Sequence, residues 1–432
     1  MSLFGAACAP APEEAGYRHI VLLGLDGLRG DHLRHRGYPR PVSPFLDELA
    51  AQSVDFERAY SPSAGLLSSY GAWMSSLHPE EHGLFSFEGA PLDASATTLA
   101  EVLAERGYRT AAFLSTRAEW AATELARGFE TVDVPNELHP YLYRAAGETV
   151  DRVLAWLAGL DPGDRTFVFV QFADISTRGQ AGPEHFAEGL VGPGRRDIVK
   201  LLVERYHVPF GFFHYEDLVL LKTYNRYDAE IHHVDAEIAR LYGDLVAAGW
   251  NQDSLWVLAS PYGMGLGNHL YRGAGRHLYE SQVRTPLWVH TPGGEIPARS
   301  IEQPVTQLDL APTLLELAGG DAPPAAWRGR SLVPLLAEES LAPRAILVQR
   351  GPVPVYDSGV GEAWASDAAL AAIVDERWKL LRDASGAEEL YDVVADPFEL
   401  EDRSESAPAD EVERLRELLA ERLAALQAAG GG

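Results

Sequence analysis

His19-Ile20-Val21-Leu22-Leu23-Gly24-Leu25-Asp26-Gly27-Leu28-Arg29-Gly30-Asp31-His32 is the stretch on which the fold turns. From Ile20 to Leu25 apolar residues follow one another without polar alternation, the pattern of a strand covered on both faces, as strands of parallel sheets are. The run stops at Asp26-Gly27, an acid and a permissive turn residue where a buried strand releases the chain. The same signature returns at Tyr108 to Leu114, Thr166 to Phe172, Ser254 to Ala259 and Pro286 to His290. Helix signals fall between these runs. Ser43 stands at an N-cap position before Pro44, with Asp47 and Glu48 in the early turns. The clearest helix is Tyr227 to Ala248, in which Tyr227, Ile231, Val234, Ile238, Leu241 and Leu245 recur every three or four residues before Gly249. Another, Leu308 to Leu317, leads to Gly319-Gly320 and a Pro-rich linker.

After Pro343 the pattern shortens. Ala345 to Gln349, Leu370 to Val374, Trp378 to Arg382 and Glu389 to Val393 read as strands, and a last helix carries Val412, Leu415, Leu419, Leu423 and Leu426 on one face. Alternating strands and helices followed by a strand-rich end predict an α/β fold with a large, mostly parallel central sheet flanked by helices, plus a small C-terminal α+β subdomain. The expected division is a flexible tail over 1–16, the α/β domain over 17–340 and the subdomain over 341–428. No internal repeat is visible.

Charge and cysteine content narrow the partners. The 432 residues carry 63 acidic and 36 basic side chains, net −27, and only Lys200, Lys222 and Lys379 are lysines. A field of that sign disfavours nucleic acid, whose binding relies on Lys and Arg displacing counterions. No stretch reaches the roughly 18 apolar residues that a membrane-spanning helix needs. Cys8 is the sole cysteine, so neither an internal disulfide nor a thiolate metal cluster is available. Leu3-Phe4-Gly5-Ala6-Ala7-Cys8 before a Pro and acidic spacer has the look of the tail of a bacterial lipoprotein signal, without its basic start. Two readings stand: export with a lipid anchor on Cys8, or a soluble protein with a disordered tail.

A family resemblance rests on marks spread in order along the chain: Leu25-Asp26-Gly27-Leu28-Arg29-Gly30-Asp31-His32, Gly37-Tyr38-Pro39-Arg40-Pro41, Ala59-Tyr60-Ser61, Leu77-His78-Pro79, Tyr227-Asp228, Val234-Asp235, Leu278-Tyr279-Glu280, Asp309-Leu310-Ala311-Pro312-Thr313, Gly329-Arg330-Ser331-Leu332, Trp378-Lys379-Leu380 and Glu389-Leu390-Tyr391-Asp392. Together they resemble the sulfatase branch of the alkaline phosphatase superfamily. The resemblance implies hydrolysis of sulfate or phosphate esters, which calls for a nucleophile at a helix start, a divalent cation to neutralise the oxyanion, and basic side chains around it.

At every position but Asp26 that the resemblance assigns to this chemistry, the residue present is of another kind. The family nucleophile, a Cys or Ser matured to formylglycine in a Cys/Ser-x-Pro-x-Arg motif, falls six residues past Tyr60 and thirteen before Pro79. Both counts land on Leu66, and the motif then runs Leu66-Leu67-Ser68-Ser69-Tyr70, with Tyr70 in the Arg slot. Shifting it to Tyr60-Ser61-Pro62-Ser63-Ala64 restores the Pro but puts Tyr in the nucleophile slot. The late metal pair is Pro261-Tyr262 in place of Asp and His or Asn. Asp26 remains, but Gly27 replaces a second acid; Ser176 stands in for a His after Asp174-Ile175, and Ala274 for a His between Gly273 and Gly275. A lone Asp26 leaves a hard cation mostly hydrated, so no metal and no other cofactor is expected.

Ordinary structural roles compete at every one of these residues. Asp26 can cap its turn or pair with an Arg, Ser68 and Ser69 can cap a helix, and His232-His233 project about 100° apart on a helix and do not share a metal easily. His269 and His277 are the remaining acid/base candidates. The leading expectation is a catalytically inactive member of the family, a binding or assembly module whose degraded cleft, lined by Tyr70, Ser176 and Tyr262, takes a small neutral molecule or carbohydrate, with a protein partner also open. The alternative is a divergent ester hydrolase using another constellation. The aromatic-rich segment from Gly179 to Tyr224 matches the family least and reads as core, interface or lid.

Overall fold

Side chains of the first strand decide the layering. In a pleated strand successive residues face opposite sides, and here Ile20 and Leu22 enter one core while Val21, Leu23 and Leu25 enter the other. The computed structural model describes residues 16–85, 91–116, 120, 123–135, 143–161, 163–176, 204, 213–250, 252–320, 322–352 and 369–430. Cys8, the tail over 1–15 and, apart from Glu204, the segment 177–212 lie outside these residues.

Eight strands form the main sheet: β1 (His19–Leu25), β2 (Val54–Phe56), β3 (Tyr108–Phe113), β4 (Thr131–Asp133), β5 (Arg165–Phe172), β6 (Ser254–Ala259), β7 (Leu287–His290) and β8 (Arg299–Ile301). Their spatial order is β8-β2-β7-β6-β1-β5-β3-β4. β1 lies centrally, parallel to β5 with His19 opposite Thr166 and to β6 with His19 opposite Ser254. β7 runs antiparallel to both its neighbours, and the other strands share one direction. The main strands were legible as apolar runs. β2, β4 and β8 were not, because three residues are too few to display a period.

Helices cover both faces. α1 (Pro44–Ala51), α2 (Leu66–Ser75), α3 (Leu99–Glu105), α4 (Ala146–Leu157), α5 (Phe213–Ala247) and α6 (Leu310–Leu317) precede a C-terminal α7 (Ala409–Gly430). α2, α3 and α6 pack with Ile20 and Leu22, through Trp73, Leu103 and Leu314 among others. α1, α4 and α5 pack on the opposite face through Leu46, Val153 and the Ile231, Val234, Ile238, Leu241 stripe. α5 begins well before Tyr227, and its first turns are not legible in the sequence because Leu218 to Leu221 is an unbroken apolar run that shows no helical period. Ser43 does not cap α1: its hydroxyl donates to the Asp47 carboxylate. Asp235 of α5 takes the two orphan amides instead, accepting from Phe45 N at 3.1 Å and Leu46 N at 2.7 Å. A carboxylate at a helix N-terminus satisfies these donors and the dipole together.

The C-terminal strands β9 (Ile346–Arg350), β10 (Leu370–Val374), β11 (Trp378–Asp383) and β12 (Glu388–Asp392) form an antiparallel sheet in sequence order. One face packs under α7 through Leu347, Ile373, Leu380 and Leu390, and the other meets Tyr60, Leu278 and Tyr279 of the main sheet's domain. Lys379 bolts the two together. It is fully buried, 3.0 Å from Glu280 and 2.8 Å from Glu399. Among the described residues no helix is long and apolar enough to cross a membrane.

Candidate functional site

In open α/β sheets ligands bind beyond the carboxyl ends of the strands, and three strand ends meet here. β1 releases Asp26, β5 releases Ala173-Asp174 and β6 releases Ser260-Pro261-Tyr262. Gly27 and Gly263 continue the parallel pairing past the strands as an isolated bridge. The N-terminus of α2 begins at Leu66, as the family spacing places it.

Asp26 is 1% exposed, and both its carboxylate oxygens accept hydrogen bonds from neutral side chains. Tyr70 Oη donates to Oδ1 at 2.5 Å and Gln171 Nε2 donates to Oδ2 at 2.7 Å. The Gln171 amide has its orientation fixed: a carboxylate only accepts, so the NH2 faces Asp26 while Oε1 takes the Thr116 hydroxyl at 3.1 Å. Tyr70 is fully buried, with its ring among Trp73, Trp120 and Phe169. Burial, the Asp26 charge and its hydrogen bond, and Tyr262 hold its phenol well above the usual range, so it stays a donor. Gly24 makes room for it: a Cβ there would lie 2.4 Å from Tyr70 Oη.

The neighbouring positions are fitted equally closely. Gly27 has φ +82°, and a Cβ on it would stand 3.0 Å from Met264 Cγ and 3.1 Å from Ser176 Cβ, so any side chain here meets a strained backbone and tight neighbours that must give way. Tyr227 Oη donates to Gly27 O at 2.7 Å and accepts from Arg29 N at 2.8 Å. Arg29, buried, holds Asp31 with Nε and Nη2 and reaches Met264 O and Asn268 Oδ1 with Nη1, tying the loop after β1 to the loop after β6. Leu66 is half-buried against the core on the α2 side. Ser68 donates to Leu84 O at 2.5 Å, Ser69 lies 2.9 Å from Ser61, and Ser61 donates to Pro261 O at 2.6 Å. Ser260 donates to Tyr262 O, and Ser176 donates to Ala173 O. Asp174 accepts from Ala146 N at the start of α4.

The fold therefore brings Asp26, Gly27, Tyr70, Ser176 and Tyr262 into one neighbourhood, with Pro261 linked to it through Ser61. Ala274 lies on the ribbon formed by Gly265–Leu266 and Arg272–Gly273, where its carbonyl accepts from Tyr271 Oη. Tyr70 does not line an open cleft as expected, because its hydroxyl is spent on Asp26. Gln171 was missed, although a lone amide inside the apolar strand Thr166 to Phe172 signals a buried partner. The Tyr227-Asp228 mark is an anchor: Asp228 accepts from Tyr38 Oη at 2.8 Å and pairs with Arg40 at 2.6 Å.

A divalent cation needs oxygen lone pairs turned toward it, whereas Tyr70 and Gln171 turn hydrogens toward the Asp26 carboxylate. Among the described residues no three His, Cys, Asp or Glu side chains converge. His269 stacks on Tyr279 at 3.7 Å and donates from Nε2 to Phe398 O, and burial pushes its imidazole down to about 4. His277 packs between Tyr271 and Tyr279, pushed down to about 3, chiefly by burial. Both are neutral at pH 7. His269 lines a cavity of about 180 Å³ with Arg29, Asn268, Arg284 and Phe398.

Comparisons with known proteins agree with this fold. The sulfatase family model matches residues 18–320, and the model for the C-terminal part of N-sulphoglucosamine sulphohydrolase matches 267–429. The chain is 21% identical to an arylsulfatase of Clostridium perfringens, with 94% of each covered. It is 31% identical to a choline-sulfatase of Rhizobium meliloti over 43% of this chain, a match that spans only 34% of that protein. Among solved structures, the phosphonate monoester hydrolase of Agrobacterium radiobacter superimposes with a TM-score of 0.70 at 21% identity, covering 95% of this chain and 96% of that one. A protein crystallised in complex with its substrate D-glucosamine-2-N,6-O-disulfate gives a TM-score of 0.71 at 20% identity, with 96% and 98% covered. At these identities the structural likeness bears on the fold.

Proposed function

The chain belongs to the sulfatase family, and from that premise we propose that it has lost ester hydrolysis and serves as a binding or assembly module. One observation carries the reading: the carboxylate of Asp26 is closed by Tyr70 and Gln171, while Leu66 occupies the start of α2. An aliphatic side chain has no lone pair to attack sulfur or phosphorus. Each oxygen of the Asp26 carboxylate already accepts a hydrogen bond, and among the described residues no cluster of acidic or imidazole side chains adds ligands, so a cation there would have too few protein ligands and the proposed site holds no metal. Leu66, Tyr70, Pro261, Tyr262, Ser176, Gly27 and Ala274 are then degenerate active-site positions, each taken over by a packing or hydrogen-bonding role.

The ligand proposed for the surface beside this plug is a small molecule or carbohydrate, since a relative in the same fold is described with a disulfated glucosamine. The division 17–340 and 341–428 is kept in the proposal, with α7 giving the C-terminal sheet a core of its own. A second reading, a divergent sulfate or phosphate ester hydrolase, is favoured by the activities named for its relatives. Turnover of aryl sulfate and aryl phosphate esters with added Mg²⁺, Ca²⁺ or Mn²⁺ separates them. The first reading expects no turnover above buffer; turnover abolished by Asp26→Ala establishes the second.

A further inference from the structure

A different cavity lies where the main domain meets the last helix, away from Asp26. It encloses about 310 Å³, within the size range of sites that hold small molecules. Arg328, Arg344 and Arg422 line it. They come from the linker after α6, the approach to β9 and the outer part of α7, so only the tertiary fold gathers them. Such a gathering is unexpected in a chain of net charge −27. Leu308, Ile346 and Leu426 supply an apolar wall.

The positive charge is only partly neutralised. Glu81 holds Arg328 at 2.7 Å, and the buried Asp309 holds Arg344. Arg422 is exposed and makes no hydrogen bond or ion pair among the described residues. His78, also on the lining, has a buried Nδ1 without a hydrogen-bond partner. Burial and then Arg344, His82, Arg328 and Arg422 push its imidazole down to about 3, which places all three arginines within electrostatic reach of the ring.

We propose that this cavity binds a small organic anion, its oxyanion head set against Arg328, Arg344 and Arg422 and its apolar body against Leu308, Ile346 and Leu426. Guanidinium forks suit carboxylate, phosphate and sulfate ester heads alike. The site is independent of the Asp26 plug, and its failure leaves the reading of that plug untouched.

Isothermal titration of the full chain at low ionic strength with phenyl phosphate, phenyl sulfate and benzoate tests it, the preferred probe identifying the head group. At least one probe is expected to bind at millimolar concentration or below, more weakly at high salt. Arg422→Gln is expected to weaken that binding about tenfold, with the urea midpoint unchanged because Arg422 makes no internal bond; Arg344→Gln provides a second variant. No binding by any of the three probes overturns the proposal, as does an affinity that neither substitution alters.

Discussion

Asp26→Asn discriminates a structural carboxylate from a metal ligand, because the two roles give stability changes of opposite sign. In the plugged arrangement each oxygen of Asp26 accepts one hydrogen bond, and bonds to an ionised carboxylate contribute about 1.5–3 kcal/mol each against about 1 for neutral ones. The amide can keep Gln171 on Oδ1, but its NH2 then faces Tyr70 Oη. The tyrosine must turn its hydrogen away into surroundings of Trp73, Trp120 and Phe169, an orphaned buried donor costing about 1–3 kcal/mol. Together these put the loss at about 2–4 kcal/mol. Urea unfolding followed by tryptophan fluorescence reads this as a lower midpoint at constant slope. Had Asp26 been a vacant metal ligand, neutralising it would relieve an unpaired buried charge and leave the protein as stable or more so. The same titration includes divalent cations: a ligand at 100 times its Kd adds about 2.7 kcal/mol, and the plugged site expects no such gain. A midpoint that rises with Asp26→Asn, or with Mg²⁺ or Ca²⁺ in the wild type only, refutes the reasoning.

Four further outcomes are expected. Tyr70→Phe removes the donor to Asp26 Oδ1 and lowers stability by about 1–3 kcal/mol, so an unchanged urea midpoint counts against the bond. Gly24→Ala places a Cβ 2.4 Å from Tyr70 Oη; its overpacking cost of about 1–3 kcal/mol should shrink in a Tyr70→Phe background, a coupling that a double-mutant cycle reads. His82, fully buried, donates from Nε2 to Ser68 O and accepts from Leu84 N on Nδ1, and burial pushes it down to about 4. Because its folded pKa lies below the unfolded value near 6.5, this stabilisation is complete above pH 6.5 and is lost as pH falls toward 4. Linkage puts the loss between pH 7 and pH 5 at about 2 kcal/mol, which His82→Gln should remove from the pH dependence of the midpoint. Lys379→Met leaves Glu280 and Glu399 buried without their cation and should cost about 3–5 kcal/mol, visible as early unfolding of the C-terminal sheet by hydrogen exchange.

What the sequence discloses about this fold follows from where burial leaves a pattern. β1, β3, β5 and β6 are covered on both faces, so their apolar runs are visible without a structure; the reversal of β7 leaves no trace in composition. The capping of α1 was misread because Ser43 is local and Asp235 is not: propensity sees near neighbours, while the donors at Phe45 and Leu46 are met from nearly 200 residues away. At the site, the residue types at Leu66, Pro261 and Gly27, on which the proposed loss of hydrolysis rests, are legible in the sequence. The contacts around Asp26 are not, since they need Tyr70 to cross over Gly24 and Gln171 to point out of an apolar strand. Both are facts of packing.

The most direct measurement is a crystal structure of the protein grown with millimolar Mn²⁺, with anomalous data to locate the ion. The account expects Tyr70 Oη and Gln171 Nε2 to remain on Asp26, with no anomalous peak beside it. A coordinated Mn²⁺ on Asp26, with Tyr70 swung away, contradicts it.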